Sequence, residues 1–270
     1  MLLLGGLLCL IMGLILGLLG GGGSILTVPI LVYCFHLPPS IATGYSLFIV
    51  GITSLISAWR YKRHQVLNMK VATIFALPAT LGVLISRRVI LPAMSESYLL
   101  FRIHITKDQI VMLTFASMMI VIASVMIRPK KSPSSSTTTS HNPVPYGLIA
   151  IEGIGVGMIT GFVGAGGGFL IVPALTLMAR LRMRAAIATS LLIISIKSLI
   201  GFFGDAINGP PINVGLLVSL SSLTVIGSYI GVKWNTRLSA TRLRIGFAYF
   251  VFIIGLVIAI NELSTILAQS

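Results

Sequence analysis

The chain has 270 residues, of which 56% are hydrophobic and only 9% charged, and its mean hydropathy is +1.04. Soluble domains carry roughly 25% charged residues, so this composition excludes an ordinary soluble protein and predicts a polytopic membrane protein. The net charge of +14 does not indicate nucleic-acid binding, because the basic residues lie in short loops between apolar runs, as the positive-inside rule describes.

The apolar runs of the first half predict helical segments at residues 2–19, 25–36, 40–59, 68–86 and 109–127. The first run has no basic n-region and no small-x-small cleavage site, so we interpret it as structure and not as a signal peptide. Glycines 20–23 break the helix, and Ser24 is the predicted N-cap of the next one. Residues 87–108 are a predicted loop that carries a short hairpin or amphipathic piece from Tyr98 to Thr106.

A polar low-complexity linker, residues 128–145, separates two halves of almost equal length, and it cannot bury enough surface to fold alone. The chain therefore divides into a first membrane repeat (1–127), the linker (128–145) and a second membrane repeat (146–270). Glycines at 164–168 form a second break. The predicted helical segments of the second half are 146–163, 169–180, 185–204, 214–232 and 244–261.

A glycine-rich motif occurs once in each half. Residues 17–31 read GLLGGGGSILTVPIL and residues 161–175 read GFVGAGGGFLIVPAL, and at an offset of 144 they agree at 8 of 15 positions. Ser46-Leu47 and Ser190-Leu191 match at the same offset, while Asn68 and Gly82 match Asn213 and Gly227 at 145. Paired glycine interruptions in corresponding apolar segments are the pattern that indicates the binding site of a transporter built from repeats.

The distribution of basic residues predicts the topology. With the N-terminus outside, the inside loops are 60–70, 128–145, 180–184 and 233–244, and they hold 4, 3, 3 and 4 of the 19 Lys and Arg residues. Loop 87–108 holds 4 more on the outside and is the awkward segment, and Lys197 is the remaining one. We therefore predict both termini outside and the linker inside.

Five helical segments per half imply that the second half is inserted upside down relative to the first. Each glycine hairpin, 1–36 and 146–180, leaves and regains the same side, but two crossings need about 40 helical residues. At least one arm of each therefore falls short, and we expect the glycine turn to lie within the depth of the membrane. The predicted fold is all-α, with two inverted repeats of about five helical segments, each with a Gly-rich broken or re-entrant hairpin.

The two glycine turns are the first candidate site. A helix start offers unpaired N–H groups and a positive dipole end, and glycine lets backbone approach a ligand closely, so the turns can bind an anion. The alternative is that the small residues only allow close helix packing. The candidate residues are Gly22, Gly23, Ser24, Gly166, Gly167 and Gly168.

Lys197 lies in the middle of a predicted span, where an ionisable residue is a functional hypothesis by default. It could meet an anionic substrate. It could also pair with an acid such as Glu152, or face an aqueous vestibule. Its repeat counterpart is Thr53, and each is followed by a serine, Ser54 and Ser198. Matched polar residues suit the wall of a cavity.

The matched Ser46 and Ser190 are further candidates for substrate binding. Glu152 is the candidate for proton or ion coupling, although a carboxylate near a helix end is the simpler interpretation. Cys9 and Cys34 lie in apolar segments and are interpreted as core residues. The sequence shows no nucleophile–base set, metal-ligand cluster or nucleotide loop, so we expect no catalytic residues, no metal site and no cofactor.

The paired glycine–proline motifs, followed by IATGYSLF (41–48) and IATSLLI (187–193), resemble those of the TauE/SafE sulfite exporter family, also called the toluene sulfonate uptake permease family. The similarity covers nearly the whole chain. It departs from the family at Ser24, where the second copy has Gly168, and at Tyr45, which interrupts the usual Ala-Thr-Ser-Leu run. The resemblance implies transport of sulfur-containing anions, such as sulfite, sulfonates or sulfoacetate, across the cytoplasmic membrane.

The sequence thus predicts a multi-pass transporter of the cytoplasmic (inner) membrane, with a small anion as its substrate and the lipid bilayer as its surroundings. Export is favoured because an anion leaving a negative interior gains energy. An anion channel and an uptake permease for another small organic anion are the alternatives. A membrane enzyme is disfavoured by the lack of a catalytic cluster. The sequence is compatible with a homo-oligomer and does not specify one.

Overall fold

The computed structural model describes residues 2–62, 67–100, 103–127, 146–177, 179, 181–207, 212–234 and 240–268. Within these ranges the chain is all-α apart from one small hairpin. Its helices in chain order are α1 (Leu2–Leu19), α2 (Gly22–Cys34), α3 (Pro39–Lys62), α4 (Met69–Ala93), α5 (Lys107–Ile127), α6 (Tyr146–Val163), α7 (Gly168–Leu177), α8 (Met183–Ala206), α9 (Val214–Trp234) and α10 (Ala240–Ala268).

Six of these helices, α3, α4, α5, α8, α9 and α10, are long and apolar enough to cross a membrane. The helix α7 has 10 residues and α2 is also short, whereas a crossing needs about 20. The chain is therefore a polytopic membrane protein in which each glycine break is followed by a helix too short to span.

Capping by asparagine recurs at the start of α4 and of α9. Asn68 Oδ1 accepts a hydrogen bond from the Val71 N–H, and Asn213 Oδ1 accepts one from the Leu216 N–H, both at 3.1 Å. Each bond satisfies one of the N–H groups that a helix start leaves without an intrahelical acceptor. The two asparagines are the pair that matched at an offset of 145 in the sequence.

Two sequence predictions about element boundaries are wrong. The helix α4 does not end at 86 but continues through a π-helical turn, Ser86–Ile90, to Ala93, so the predicted loop 87–108 begins too early. The helix α2 begins as a 3-10 turn at Gly22, and the Ser24 hydroxyl donates to the Gly21 carbonyl at 2.6 Å, so Ser24 is not the N-cap.

The predicted hairpin is confirmed. Strands β1 (Ser97–Leu100) and β2 (Ile103–Thr106) pair antiparallel, with Ser97 opposite Thr106 and Leu100 opposite Ile103. The linker 128–145, where the sequence predicts a boundary between the halves, lies outside the described residues.

The principal helix contacts join one half to the other. Helix α1 packs along α9, α6 along α4, α3 along α8 and α5 along α10, and α4 also contacts α8 as α9 contacts α3. Exchanging each helix of the first half with its counterpart in the second maps this set of pairs onto itself. The two halves therefore interlock, and the core lies between them.

Glycines set the closest of these approaches, and they do so in matched pairs. A Cβ placed on Gly13, or on its repeat counterpart Gly157, would overlap the backbone of the facing helix, at Thr224 and at Ala79 respectively. The same holds for Gly82 and its counterpart Gly227, which face Ile154 and Leu10. Small residues at such crossings allow close van der Waals packing between helices. Close helix packing, the alternative interpretation of the glycines, therefore holds for these four.

Candidate anion-binding site

The two glycine turns meet at the centre of the interface between the halves. A Cβ on Gly21 would overlap Gly168 Cα, and the Ile194 side chain packs against both residues. The turns depend on backbone that only glycine adopts readily. In the first turn φ is 69° at Gly20 and 118° at Gly21, and in the second it is 72°, 64° and 70° at Gly164, Gly166 and Gly167.

The second turn faces a buried lysine. Lys197 Nζ donates a hydrogen bond to Thr160 Oγ1 at 2.5 Å. A Cβ on Gly167 would lie 3.2 Å from the same Nζ and would overlap the Thr160 side chain. Lys197 is 0% exposed, so its charged group lies between the end of α6 and the glycine turn, out of contact with solvent.

No carboxylate of the described residues forms an ion pair with Lys197. Glu152 lies eight residues before Thr160 on α6, about 12 Å along the helix axis, and its Oε2 is buried with no hydrogen-bond partner in the described part of the chain. The proposed pair between Lys197 and Glu152 is therefore not formed. The Lys197 side chain is 0% exposed, so it does not face an aqueous vestibule formed by the described residues.

Two of the predicted serines donate hydrogen bonds to carbonyl groups of the first glycine turn. Ser190 Oγ donates to the Gly20 carbonyl at 2.6 Å, and Ser24 Oγ donates to the Gly21 carbonyl at the same distance. Ser24 also lies against the second turn, because a Cβ on Gly166 would be 3.3 Å from Ser24 Cβ. These hydroxyls hold the shape of the site, and both residues are 0% exposed.

Gly22 and Gly23 are in contact with other parts of the protein. A Cβ on Gly23 would overlap the Met12 carbonyl of α1, so its small size serves helix packing. A Cβ on Gly22 would lie 3.3 Å from the side chains of Leu19 and Phe247. Close packing accounts for Gly23, and Gly22 remains the more open member of the first turn.

The other polar candidates on α3 and α8 are buried, and no hydrogen bond between described residues joins them to Lys197. Thr53 Oγ1 donates to the Ile49 carbonyl at 2.6 Å. The hydroxyls of Ser46, Ser54 and Ser198 are buried and have no hydrogen-bond partner in the ranges that the structure describes. Buried polar groups of this kind need an explanation, such as a ligand or water that they contact.

Sequence reasoning missed three residues. Thr160, the partner of Lys197, stands directly before the glycine motif, which is the only signal that pointed to it. Arg87 was assigned to a loop, but it is buried in α4 and forms an ion pair with Asp205, with 2.7 Å between Nη1 and Oδ2. Arg87 and Asp205 are therefore a basic and an acidic residue inside spans, in addition to Lys197.

The geometry can bind a small anion. The lysine supplies a full positive charge, and the first-turn N–H groups of α2 and α7 supply partial ones. No group of three or more His, Cys, Asp or Glu residues able to hold a metal ion occurs among the described residues.

Comparison with known proteins gives one family. The family model described as Sulfite exporter TauE/SafE matches residues 5–258. No solved structure matches the chain significantly.

Curated relatives cover most of the chain. A probable membrane transporter protein of Xylella fastidiosa (strain Temecula1) is 30% identical over 237 residues, which are 86% of this chain and 84% of the relative. The probable membrane transporter protein YdhB of Bacillus subtilis (strain 168) is 28% identical over 227 residues, 83% of this chain and 86% of its own. The archaeal probable membrane transporter protein MJ0441 of Methanocaldococcus jannaschii is 26% identical over 266 residues, with 92% and 93% covered.

Proposed function

Because the chain belongs to the TauE/SafE sulfite exporter family, we propose that it is a secondary transporter that exports small sulfur-containing anions across the cytoplasmic membrane. Sulfite, sulfonates and sulfoacetate are the substrate class. Its relatives are membrane transporter proteins, and the six long apolar helices make it a multi-pass membrane protein.

The observation that carries the proposal is the buried Lys197 with no carboxylate partner among the described residues. On insertion scales an unpaired charge at this depth costs a few kcal/mol. A bound anion offsets part of that cost, and a sulfonate or sulfite oxygen is an acceptor for the ammonium. Thr160 keeps one donor of the ammonium occupied, which leaves two for the anion.

The glycine turns complete this proposed site. Gly167 brings backbone to the lysine, and Gly166 brings it to Ser24 of the other turn. A small anion between them has donors from both halves of the protein. The site residues we propose are Lys197, Thr160, Gly166, Gly167, Gly168, Gly22 and Ser24, with Thr53, Ser54, Ser198, Ser46 and Ser190 on the surrounding walls.

We propose further that the halves are inverted repeats that rock about this site, as in other transporters built from such repeats. The matched helix pairs and matched glycine contacts support this arrangement. Both termini are then outside and the linker 128–145 is inside. Cys9 and Cys34 are first replaced by alanine, and an impermeant thiol reagent on intact cells then labels Ser270→Cys and spares Ser135→Cys. The reverse pattern would overturn this topology.

Export follows from energetics. One negative charge that leaves a cell with an inside-negative potential gains about 2.3 kcal/mol per 100 mV. Uptake needs a coupling ion, for which Glu152 is the candidate on α6. Export therefore requires the fewest additional assumptions.

Flux into proteoliposomes tests the proposal. Purified protein is reconstituted and screened with sulfite, thiosulfate, sulfoacetate, taurine and acetate. We expect saturable flux of the sulfur anions, stimulated by unlabelled anion on the other side of the membrane. Flux that does not saturate and shows no counterflow would support an anion channel. Preference for acetate would support a permease for another organic anion.

A further inference from the structure

A second buried cation lies away from Lys197, near one end of the bundle. Arg87 is in the π-helical turn Ser86–Ile90 of α4, and its side chain is 5% exposed. Its Nη1 lies 2.7 Å from Oδ2 of Asp205 in the last turn of α8, whose side chain is 25% exposed. The arginine is therefore the inner member of the pair and the aspartate the outer one.

The ion pair uses only part of the guanidinium. Nε and Nη2 of Arg87 are buried and have no hydrogen-bond partner in the described part of the chain, and the same is true of the adjacent Ser86 hydroxyl. A guanidinium offers five N–H donors in a fixed fork that matches the two oxygens of an oxyanion. Buried donors without acceptors are costly, so the site is incomplete with Asp205 alone.

The orphaned donors are connected to the lysine site. A Cβ on Gly161 would lie 3.2 Å from Ser86 Cβ, and Gly161 directly follows Thr160, the partner of Lys197. Along α8, Lys197 and Asp205 are eight residues apart, about 12 Å. Between them Gly201 is covered by the side chains of Val83 and Leu47. Lys197 and the Asp205 partner of Arg87 are thus about two turns apart on α8, with Gly201 and its apolar neighbours between them.

Asp205 also lines a cavity of about 160 Å³, together with Ser40, Gly44, Tyr45, Phe202 and Ile212. This cavity is at the end of the bundle where α3 begins and α8 ends, which is the outer end in the proposed topology. A small anion that reaches the cavity meets Asp205 first and Arg87 directly behind it.

The ion pair has no counterpart at the two repeat-related positions of the other half. The repeat counterpart of Arg87 is Val232 at an offset of 145, and that of Asp205 is Tyr61 at 144. The Tyr61 hydroxyl donates to the Gly17 carbonyl at 3.2 Å, which is a neutral contact. A cation stands at only one of the two repeat-related positions, so the ion pair is not a requirement of the repeated scaffold.

We infer that Arg87 is a second binding residue for the transported anion, and that the Asp205 carboxylate occupies it as a built-in competitor until an anion arrives. This rests on the proposed function as a carrier of small anions. The ligand class is an oxyanion with two or three equivalent oxygens, a sulfonate or carboxylate, because such a group can use the arginine fork. Asp205 then turns outward into the cavity as the anion takes its place.

Calorimetry with sulfoacetate on the purified protein tests the competition. Asp205→Asn removes the competitor and should tighten binding by about tenfold, within the range of measured pair couplings. The double variant Arg87→Gln/Asp205→Asn should lose that gain. Arg88→Gln is the matched control, because Arg88 is the exposed neighbour in the same turn. Binding by Asp205→Asn that is no tighter than wild type would overturn the inference.

A second variant covers the case in which Asp205→Asn does not fold, since an unpaired buried arginine is destabilising. Arg87→Lys keeps the charge and the ion pair but lacks the planar fork, and it should weaken sulfoacetate binding by about threefold. Wild-type affinity in this variant would contradict a direct contact with the anion.

Thiol labelling tests the role of Arg87 independently of the proposed substrate. In a Cys9→Ala/Cys34→Ala background, Asp205→Cys should react with a methanethiosulfonate carrying a sulfonate at least about tenfold faster than with one carrying a trimethylammonium. Arg87→Gln should abolish that preference, whereas Arg88→Gln, which removes a charge that also acts on position 205, should reduce it by less. If no variant binds sulfoacetate, the proposed substrate fails while the labelling rates still decide whether Arg87 receives a small sulfonate. Equal rates for the two reagents with Arg87 present would refute the site.

Discussion

The two glycine turns both begin at a glycine with positive φ, and they differ in their later backbone and in charge. Gly20 and Gly164 have φ of 69° and 72°, and each packs on the matched residue of the other half, Ile187 and Thr43. Beside the second turn stand Lys197 and Thr160, whereas their counterparts beside the first, Thr53 and Leu16, carry no charge. We interpret the repeated glycines as scaffold, and we place the anion beside the two residues that are not repeated, Lys197 and Thr160.

The largest expected effect tests the repeated scaffold. Gly20→Val and Gly164→Val should each prevent folding, at a cost of about 3 kcal/mol or more, because a β-branched residue is strained at positive φ and would overlap the facing backbone. Gel filtration of the purified protein measures the folded fraction. Gly155→Val, where a Cβ meets nothing within 4 Å, is the control. One intact variant of the pair would show that the turns are not equivalent.

A smaller effect distinguishes the turns from each other. Gly166→Ala should lower the free energy of unfolding by about 1–2 kcal/mol, since its φ is 64° and positive φ carries that penalty. Gly22→Ala should be near wild type, because its φ is not positive and its nearest neighbours are at 3.3 Å. Thermal unfolding compares the two, and equal losses would remove the distinction.

The smallest expected effect concerns the Thr160 hydroxyl, which accepts the hydrogen bond from Lys197. Thr160→Val keeps the shape and removes the acceptor for Nζ, so sulfoacetate affinity should fall by about 1 kcal/mol, roughly fivefold in Kd. Thr224→Val, the same change at a buried threonine whose hydroxyl donates to the Leu220 carbonyl, should leave Kd unchanged. Titration calorimetry resolves both. A loss in Thr224→Val as large as that in Thr160→Val would show that the Thr160 hydroxyl has no specific role in holding the lysine.

Much of the fold could be predicted from the sequence, because apolar runs set most helices to within a few residues and the duplicated glycine motif located the two turns. The C-terminal end of α4 was not predictable in this way. Arg87 and Arg88 interrupt the apolar run of α4 in the sequence, which predicts the end of the helix. In the structure the helix continues, because Arg87 forms an ion pair with Asp205, 118 positions further along the chain. A hydropathy profile carries no information about such ion pairs between distant parts of the chain.

The site was predicted in part for the same reason. Lys197 and the glycine turns were identified because a charge in a span and a repeated glycine cluster are visible locally. The hydroxyl of Thr160 is one of many in apolar segments, and only the folded turn brings it to the lysine. Ser24 was misassigned because the left-handed backbone at Gly21 starts α2 three residues earlier than an N-cap at the serine would.

Sulfoacetate binding to wild type and Lys197→Met tests the central claim most directly. Methionine keeps the apolar stem and removes the charge, so the variant should insert at least as well as wild type, while its Kd should rise by about thirtyfold, or 2 kcal/mol, as expected for a hydrogen bond to a charged group. Lys197→Arg should be intermediate, because a planar fork does not reproduce a compact ammonium. Equal Kd in wild type and Lys197→Met would contradict the account and leave the glycine turns without their cation.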